Sequence, residues 1–158
     1  MSTRRAFASL CADLLQAGQP VCFRASGSSM APTLRDGDLV TVAPVRVAEV
    51  RSGDVLLYAT ARGLTAHRVL QRLPGGSTTC FRTRGDAPGS AEEQIEAGQV
   101  LGRVEAVRRN GRERRLQGRL ALQLLKISRP LRRAALAIKA RLPARSPTGV
   151  KWPARPMA

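Results

Sequence analysis

The stretch GSSMAPTLRDGDLV, residues 27–40, places two adjacent serines between two turn-forming segments and the start of an apolar run. Gly27 permits a backbone conformation that other residues avoid, and Pro32 stiffens the chain after the serines. A serine held in this way can act as a nucleophile if a base takes its proton and backbone N–H groups bind the oxyanion. On local features alone an ordinary polar turn is the favoured interpretation of the stretch.

The sequence around this stretch predicts a β domain. Short apolar or β-branched runs, separated by Gly, Pro, Asp and Ser, are typical of antiparallel strands. We therefore expect a mainly β, antiparallel domain over residues 20–108. The runs are PVCFRA, DLVTVAPV, DVLLYAT, LTAHRVLQRL, TTCFRTR and QVLGRVEAV.

Segments with a different pattern flank the predicted β domain. Residues 1–19 have apolar side chains at helical spacing, which predicts a short amphipathic helix. Residues 109–143 are rich in Arg, Leu and Ala with the same spacing, interrupted at Pro130, and predict two basic amphipathic helices. Residues 144–158 contain three prolines and no periodicity, which favours a disordered tail.

Positive charge is concentrated at the C-terminal end. The formal net charge is +16, and residues 103–158 hold 16 of the 27 basic residues but only 2 of the 11 acidic ones. Such a segment attracts polyanions, so the basic helices could lie on an anionic membrane surface or could simply pack on the β domain. The predicted basic helices contain no aromatic residues for stacking and no nucleic-acid recognition motif, so we expect only salt-sensitive, non-specific contact with nucleic acid.

Cysteine and histidine usage excludes several classes of site. Cys11, Cys22 and Cys80 have no paired spacing, and His67 is the single histidine, so we expect reduced thiols, no metal and no cofactor. No uncharged run exceeds ten residues, which is too short for a membrane span, and Asp13 interrupts the apolar stretch that a secretory signal needs. The sequence therefore predicts a cytoplasmic protein. Binding of the basic segment to anionic lipid could also place it at the membrane surface.

Five segments occur in the order and approximate spacing of the type I signal peptidase family, which the chain resembles over roughly residues 24–107. This family shares its β fold with LexA-like self-cleaving repressors. Its first box, Gly-x-Ser-Met-x-Pro-Thr-Leu, implies that Ser29 and not Ser28 is the nucleophile. The five segments are GSSMAPTLRDGDLV, RSGDVLLY, AHRVLQR, FRTRGDAPGSAEE and VLGRVEAV.

The resemblance leaves two choices of base, because bacterial members and LexA-like proteins use a lysine whereas the archaeal and endoplasmic-reticulum type uses a histidine. All three lysines, Lys126, Lys139 and Lys151, lie beyond the predicted β domain. His67 in AHRV occupies the family's His-Arg position, and an imidazole with a pKa of about 6.5 accepts a proton at neutral pH. We therefore expect His67 to be the base and Arg68 to point to the opposite face of its strand.

The family's third box implies a carboxylate that orients the histidine. In RGDAPGSAEE the matching acid is Glu92, where the family has Asp, and Asp86 is the competing candidate. Asp86 could instead cap its turn through its side chain. Asp38 and Asp54, in the other Gly-Asp steps, are expected to bond turn amides.

The resemblance also implies which residues surround the nucleophile. Met30 would shape the substrate site, although as a generic apolar residue it could simply fill the core. The residues expected to form the substrate and oxyanion region are Gly27, Ser28, Met30 and Pro32.

The function implied is that of a serine endopeptidase that cleaves a dedicated protein or peptide substrate. The hydrophobic anchor that usually precedes the serine box is missing from residues 1–19, which favours a soluble, cytoplasm-facing enzyme. Two alternatives remain. One is a LexA-like self-cleaving regulator, whose DNA-binding domain the first 20 residues are too short to hold; the other is a catalytically silent binding module of the same fold.

Overall fold

The computed structural model describes residues 3–61, 63–74 and 78–116, which form one α-helix and one antiparallel sheet. Helix α1 spans Thr3–Gln16, and two short 3₁₀ helices span Val47–Glu49 and Ala97–Gln99. The strands are β1 Val21–Arg24, β2 Leu39–Ala43, β3 Val55–Thr60, β4 Gly63–Leu73, β5 Cys80–Arg84, β6 Glu92–Glu96, β7 Val100–Arg109 and β8 Arg112–Arg115.

The sheet follows the order β1-β2-β7-β3-β4-β5-β6, and β8 pairs with β7. All these pairings are antiparallel. The predicted fold class, a mainly β domain with a short N-terminal helix, is confirmed.

The predicted boundary at residue 108 needs correction, because the sheet continues to Arg115. Asn110 and Gly111 both have positive φ, 50° and 75°, and form a two-residue turn between β7 and β8. Asn-Gly suits this kind of hairpin turn because both residues tolerate the left-handed backbone. Residues 112–115 are therefore a strand, whereas the predicted basic helices from residue 117 onward and the predicted tail lie outside the described residues.

Strand β3 has apolar residues on both faces and joins two hydrophobic clusters. Val55 and Leu57 pack in a cluster that includes Val42 and Val104, whereas Leu56 and Tyr58 pack in a second cluster. Successive strand residues point to opposite faces, so one uninterrupted apolar run serves both clusters. Packing on both faces therefore holds strand β3 firmly within the sheet.

Helix α1 packs on the first cluster through the side chain of Leu15, which is buried. A Cβ at Gly102 would lie 2.6 Å from the carbonyl oxygen of Ala43 and 3.2 Å from Leu15 Cδ2, so glycine permits this close approach. Phe7 and Leu10 of the same helix are exposed. No helix in the described part of the chain combines the length and the apolar character needed to cross a bilayer.

A buried ion pair links β4 to three loops. Arg68 and Asp86 have side chains that are only 2% and 3% exposed, and the guanidinium donates to both carboxylate oxygens at 2.8 and 2.6 Å. Arg68 also donates to the carbonyl oxygen of Gly53 at 2.6 Å and to Thr33 Oγ1 at 3.4 Å. Arg68 is therefore a structural residue, since a bidentate guanidinium fixes geometry as well as charge.

Arg68→Met should lower the free energy of unfolding by about 3–5 kcal/mol, because Asp86 would keep a buried charge without its partner. The matched control is Arg82→Met, whose half-exposed pair with Glu92 should be worth less than about 1 kcal/mol. Urea unfolding measures both. Adding Asp86→Leu to Arg68→Met should restore part of the loss, and equal destabilisation by Arg68→Met and Arg82→Met would contradict the role given to the buried pair.

Candidate active site

Ser29 and His67 meet at the surface of the sheet. Ser29 lies in the loop between β1 and β2, His67 projects from β4, and His67 Nε2 is 3.2 Å from Ser29 Oγ. Ser29 is exposed whereas His67 is 8% exposed, so the hydroxyl is accessible while the imidazole is largely covered. The two residues that the sequence predicts as nucleophile and base are therefore at hydrogen-bonding distance.

Local contacts fix the serine loop. Gly27 adopts a φ of 98°, as expected for a glycine before the serines, and its N–H donates to Asp36 Oδ1 at 3.0 Å. The N–H of Ala31 donates to the carbonyl oxygen of Ser28, which closes the turn around the nucleophile. The side chain of Met30 is buried in the first hydrophobic cluster. The loop is thus held from both ends.

The loop after β5 holds the backbone of the nucleophile. Ala87 N–H donates to the carbonyl oxygen of Ser29 at 2.9 Å, and Ser90 Oγ lies 3.5 Å from the same oxygen. A Cβ on Gly85 would come within 2.4 Å of that oxygen, closer than real Cβ atoms approach, so residue 85 must be glycine for the two loops to meet in this way.

A tyrosine and a glutamate lie behind the imidazole. The Tyr58 hydroxyl is 3.0 Å from His67 Nδ1 and donates to Glu93 Oε2 at 2.8 Å. Glu93 Oε2 itself is 3.7 Å from His67 Nδ1. Sequence reasoning missed both residues, although the β3–β4 pairing of Tyr58 with Thr65 and of Leu56 with His67 puts the phenol on the same face as the imidazole.

Burial sets the proton affinities of this group. Burial lowers the pKa of His67, and the carboxylates of Glu93 and Asp86 oppose that effect. Burial also raises the pKa of Tyr58. Both effects disfavour the charged forms. At neutral pH the imidazole is neutral and the phenol keeps its proton, so His67 can accept a proton from Ser29.

Glu92, the acid that the sequence predicts as the third catalytic member, lies elsewhere. Its carboxylate is 3.2 Å from Arg84 Nη1 and 3.6 Å from Arg82 Nε, on the neighbouring strand β5. Adjacent residues of a strand point to opposite faces, so Glu92 faces these arginines and Glu93 faces Tyr58. The structure therefore brings Glu93, and not Glu92, close to His67.

Asp86, the competing candidate, is the ion-pair partner of Arg68. It acts on His67 only electrostatically, as one of the two carboxylates that oppose the lowering of the histidine pKa. Arg68 pairs across the sheet with Val55 and His67 with Leu56, so these neighbours occupy opposite faces of β4, as expected. Asp86 is thus part of the scaffold beneath the site.

The other aspartates bond turn amides, as the sequence predicts. Asp38 Oδ2 accepts from Arg35 N–H at 2.7 Å, and Asp54 Oδ2 accepts from Arg51 N–H at 2.9 Å. Asp38 also pairs with Arg109, and the hydrogen bond from this guanidinium lowers the pKa of Asp38. These carboxylates stabilise loops.

A groove of about 400 Å³ adjoins Ser29 between β1 and the beginning of β4. Gly27 and Met30 line it, so Met30 both fills the core and borders the groove. Ser28 and Pro32, the other residues predicted for the substrate region, are exposed and lie outside this lining. The groove wall has both polar and apolar surface, and its apolar side chains include Phe7, Phe23, Leu34, Leu57, Leu64 and Val104.

The backbone offers few oxyanion donors among the predicted residues. Pro32 has no N–H, and the N–H of Gly27 is bound to Asp36. That leaves the backbone N–H groups of Ser28, Ser29 and Met30 as candidates in this loop. Within the described residues no group of three or more His, Cys, Asp or Glu side chains is arranged to bind a metal.

A protein-family model described as Peptidase S24-like matches residues 2–83 of the chain. The match covers just over half of the sequence and includes both Ser29 and His67. Members of this family are usually serine peptidases, within the signal peptidase/LexA-like superfamily. No curated protein gave a significant match.

His67 should titrate below the ordinary histidine pKa of about 6.5. As the pH falls through that value the unfolded chain binds the proton first, so the free energy of unfolding should decrease and should level off below the folded-state pKa. Proton NMR of this single imidazole, with urea unfolding between about pH 5 and 8, measures both effects. His67→Gln should lose this part of the pH dependence. Titration at or above the ordinary value would contradict burial as the dominant influence.

Proposed function

This chain belongs to the Peptidase S24-like family, and we propose that it is a serine endopeptidase in which Ser29 is the nucleophile and His67 is the general base. The observation that carries the proposal is the contact of 3.2 Å between Ser29 Oγ and His67 Nε2 beside a groove that Ser29 itself lines. A nucleophile and a base at this separation are the minimum that acyl transfer requires.

The residues support a two-stage reaction. Ser29 Oγ attacks the carbonyl carbon of the scissile bond while His67 Nε2 takes the hydroxyl proton, and the resulting oxyanion is held by backbone N–H groups of the serine loop. His67 then donates that proton to the leaving amine, which leaves an acyl ester on Ser29. A water molecule gives a proton to His67 and attacks the ester, and the proton returns to Ser29 when the acid product leaves.

An extended peptide is the substrate that suits the groove. β4 pairs with β3 over Gly63–Arg68 but with β5 only from Arg68 onward. Within the described residues, the second edge of β4 at residues 63–67 therefore has no paired strand, and this edge borders the groove. A peptide can bind there by adding a strand, with backbone hydrogen bonds to the edge and an apolar side chain in the groove.

We assign the site to the histidine type within the superfamily. No lysine occurs in residues 1–125, and His67 occupies the position beside Ser29. The resemblance to histidine-type signal peptidases supports this assignment, although the residue behind the imidazole is a tyrosine bonded to a glutamate. A role for the basic residues 117–158 at an anionic membrane stays a prediction from charge alone.

The S24-like match also favours one alternative, a LexA-like self-cleaving regulator. In that case the bond cleaved would belong to this chain. A silent binding module would cleave neither itself nor another peptide. An endopeptidase thus gives new termini in the peptide substrate, a self-cleaving regulator gives them in this chain, and a silent module gives none.

Ser29→Ala should reduce cleavage by more than about 10³-fold, because the nucleophile is lost. The full-length protein is incubated with a mixture of extended peptides that differ in the residues flanking one bond, and mass spectrometry finds the new termini. Ser28→Ala is the matched control and should keep activity, since it changes the adjacent exposed serine. Termini from the peptides support an endopeptidase, and termini only from the chain itself support the regulator. Identical products from wild type and Ser29→Ala would refute both.

Gly85→Ala should lower kcat by about 10²-fold, because its Cβ displaces the Ser29 backbone and a shift near 1 Å has an effect of that size. Gly98→Ala is the control, because a Cβ there meets no atom within 4 Å. Circular dichroism at the assay temperature checks that both variants are folded. Equal kcat values in the two folded variants would mean that the contact between Gly85 and Ser29 does not position the nucleophile.

A further inference from the structure

The phenol of Tyr58 lies between the base and a carboxylate, at 3.0 Å from His67 Nδ1 and 2.8 Å from Glu93 Oε2. We propose that Tyr58 is a positioning residue that holds His67 in the tautomer protonated at Nδ1, and that Glu93 sets the direction of the hydrogen bond between them. This inference rests on the proposed Ser29–His67 site and names how that site is kept ready to react.

The direction of the hydrogen bonds follows from the number of protons. An ionised carboxylate can only accept, so Tyr58 donates its single hydroxyl proton to Glu93. The phenol oxygen then has only lone pairs to offer His67. A short contact with Nδ1 is favourable only if Nδ1 carries the proton and donates it to the phenol oxygen.

This tautomer is the one that base catalysis needs. With the proton on Nδ1, Nε2 has a free lone pair, and this atom faces Ser29 Oγ at 3.2 Å. When Ser29 gives up its proton, the imidazole becomes an imidazolium with N–H groups at both positions. The Nδ1–H bond to Tyr58 is kept, no proton passes to the phenol, and Glu93 Oε2 at 3.7 Å stabilises the new positive charge.

Packing gives Tyr58 a fixed orientation. Its side chain is fully buried in the cluster with Leu56, Val69 and Phe81. The hydroxyl of Thr83 on β5 donates to the backbone carbonyl oxygen of Glu93 at 3.4 Å, which helps to hold β6 beside the phenol.

Charged groups approach the imidazole from two strands and one loop. Glu93 reaches it from β6, and Asp86 acts from the loop after β5 while paired with Arg68 of β4. Asp86 is already engaged by two guanidinium nitrogens, whereas Glu93 is engaged by the phenol. Glu93 is therefore the carboxylate whose removal should change the hydrogen bonding of His67.

The tautomer can be measured directly, because His67 is the only histidine in the chain. In full-length protein labelled with ring-¹⁵N histidine, long-range ¹H–¹⁵N spectra above the histidine pKa distinguish protonated from unprotonated nitrogens. In the wild type we expect Nδ1 to be protonated and Nε2 unprotonated. In Glu93→Ala the Tyr58 proton is free to turn to Nδ1, so the tautomer should switch to Nε2–H.

Two further variants complete the test. Glu92→Ala changes the adjacent residue on the opposite face of β6 and should leave the wild-type tautomer in place. Tyr58→Phe removes only the hydroxyl and should give a mixture of the two tautomers. If it fails to fold, Glu93→Ala still decides, because the Glu93 side chain is half-exposed. A wild-type imidazole protonated at Nε2, or an unchanged tautomer in Glu93→Ala, would overturn the proposal.

Activity provides a separate readout. With a peptide that the wild type cleaves, Glu93→Ala should lower kcat by about 10²- to 10⁴-fold, as expected when a base is held in the wrong tautomer. Glu92→Ala should leave kcat unchanged, and an equal loss in the two variants would refute the role of Glu93. The spectra need no substrate, so an Nδ1–H tautomer without any cleavage would refute the peptidase function while leaving the hydrogen-bond arrangement intact.

Discussion

The buried ion pair between Arg68 and Asp86 is the interaction on which the geometry of the site depends. Burying two charges is unfavourable unless each is fully hydrogen-bonded, and here the guanidinium binds both carboxylate oxygens and a carbonyl. Because Asp86 immediately precedes Ala87, whose N–H binds the Ser29 carbonyl oxygen, fixing Asp86 also fixes the nucleophile. His67 precedes Arg68 on the same strand and faces the other way. One strand therefore places the base on one face and the anchor of the nucleophile's loop on the other.

The nucleophile and the base could be predicted from the sequence because each depends on a local pattern. The serine box distinguishes Ser29 from Ser28, and His67 is the only histidine in the sequence. The structure brings these two side chains together. The acid behind the base was harder to predict, because its identity depends on which face of β6 each residue occupies. A change of one residue along a strand reverses the face, and this separates Glu93 from the expected Glu92. Tyr58 was missed for a related reason, since only the β3–β4 pairing shows that it faces His67.

The end of the β domain illustrates the same limit. Six strands, β1 to β5 and β7, were predicted because their apolar runs are separated by clear turn residues, whereas β6 and β8, which are mostly polar, were not. Strand β8, RERR, has no apolar residue and all four of its side chains are exposed, so its sequence favours no sheet. It is a strand because the Asn110–Gly111 turn returns the chain against β7, and backbone pairing is enough to hold it. The secondary structure of such a segment is determined by its tertiary contacts, and the periodicity of its sequence does not predict it.

The arrangement behind His67 balances two requirements of a base. A carboxylate in direct contact with Nδ1 would stabilise the imidazolium strongly and raise the pKa of the histidine. Here a neutral phenol makes the contact, and the nearest carboxylate oxygen is 3.7 Å away, so burial dominates and the pKa is lowered. The imidazole is therefore almost entirely neutral at neutral pH, which maximises the fraction of molecules able to accept the Ser29 proton, although each is a weaker base. Glu93 partly offsets that weakness when the positive charge forms. A tyrosine between the acid and the base thus lets Glu93 set the tautomer through the phenol while its charge stays 3.7 Å from the imidazole, whereas a carboxylate in direct contact would fix the tautomer and raise the pKa together.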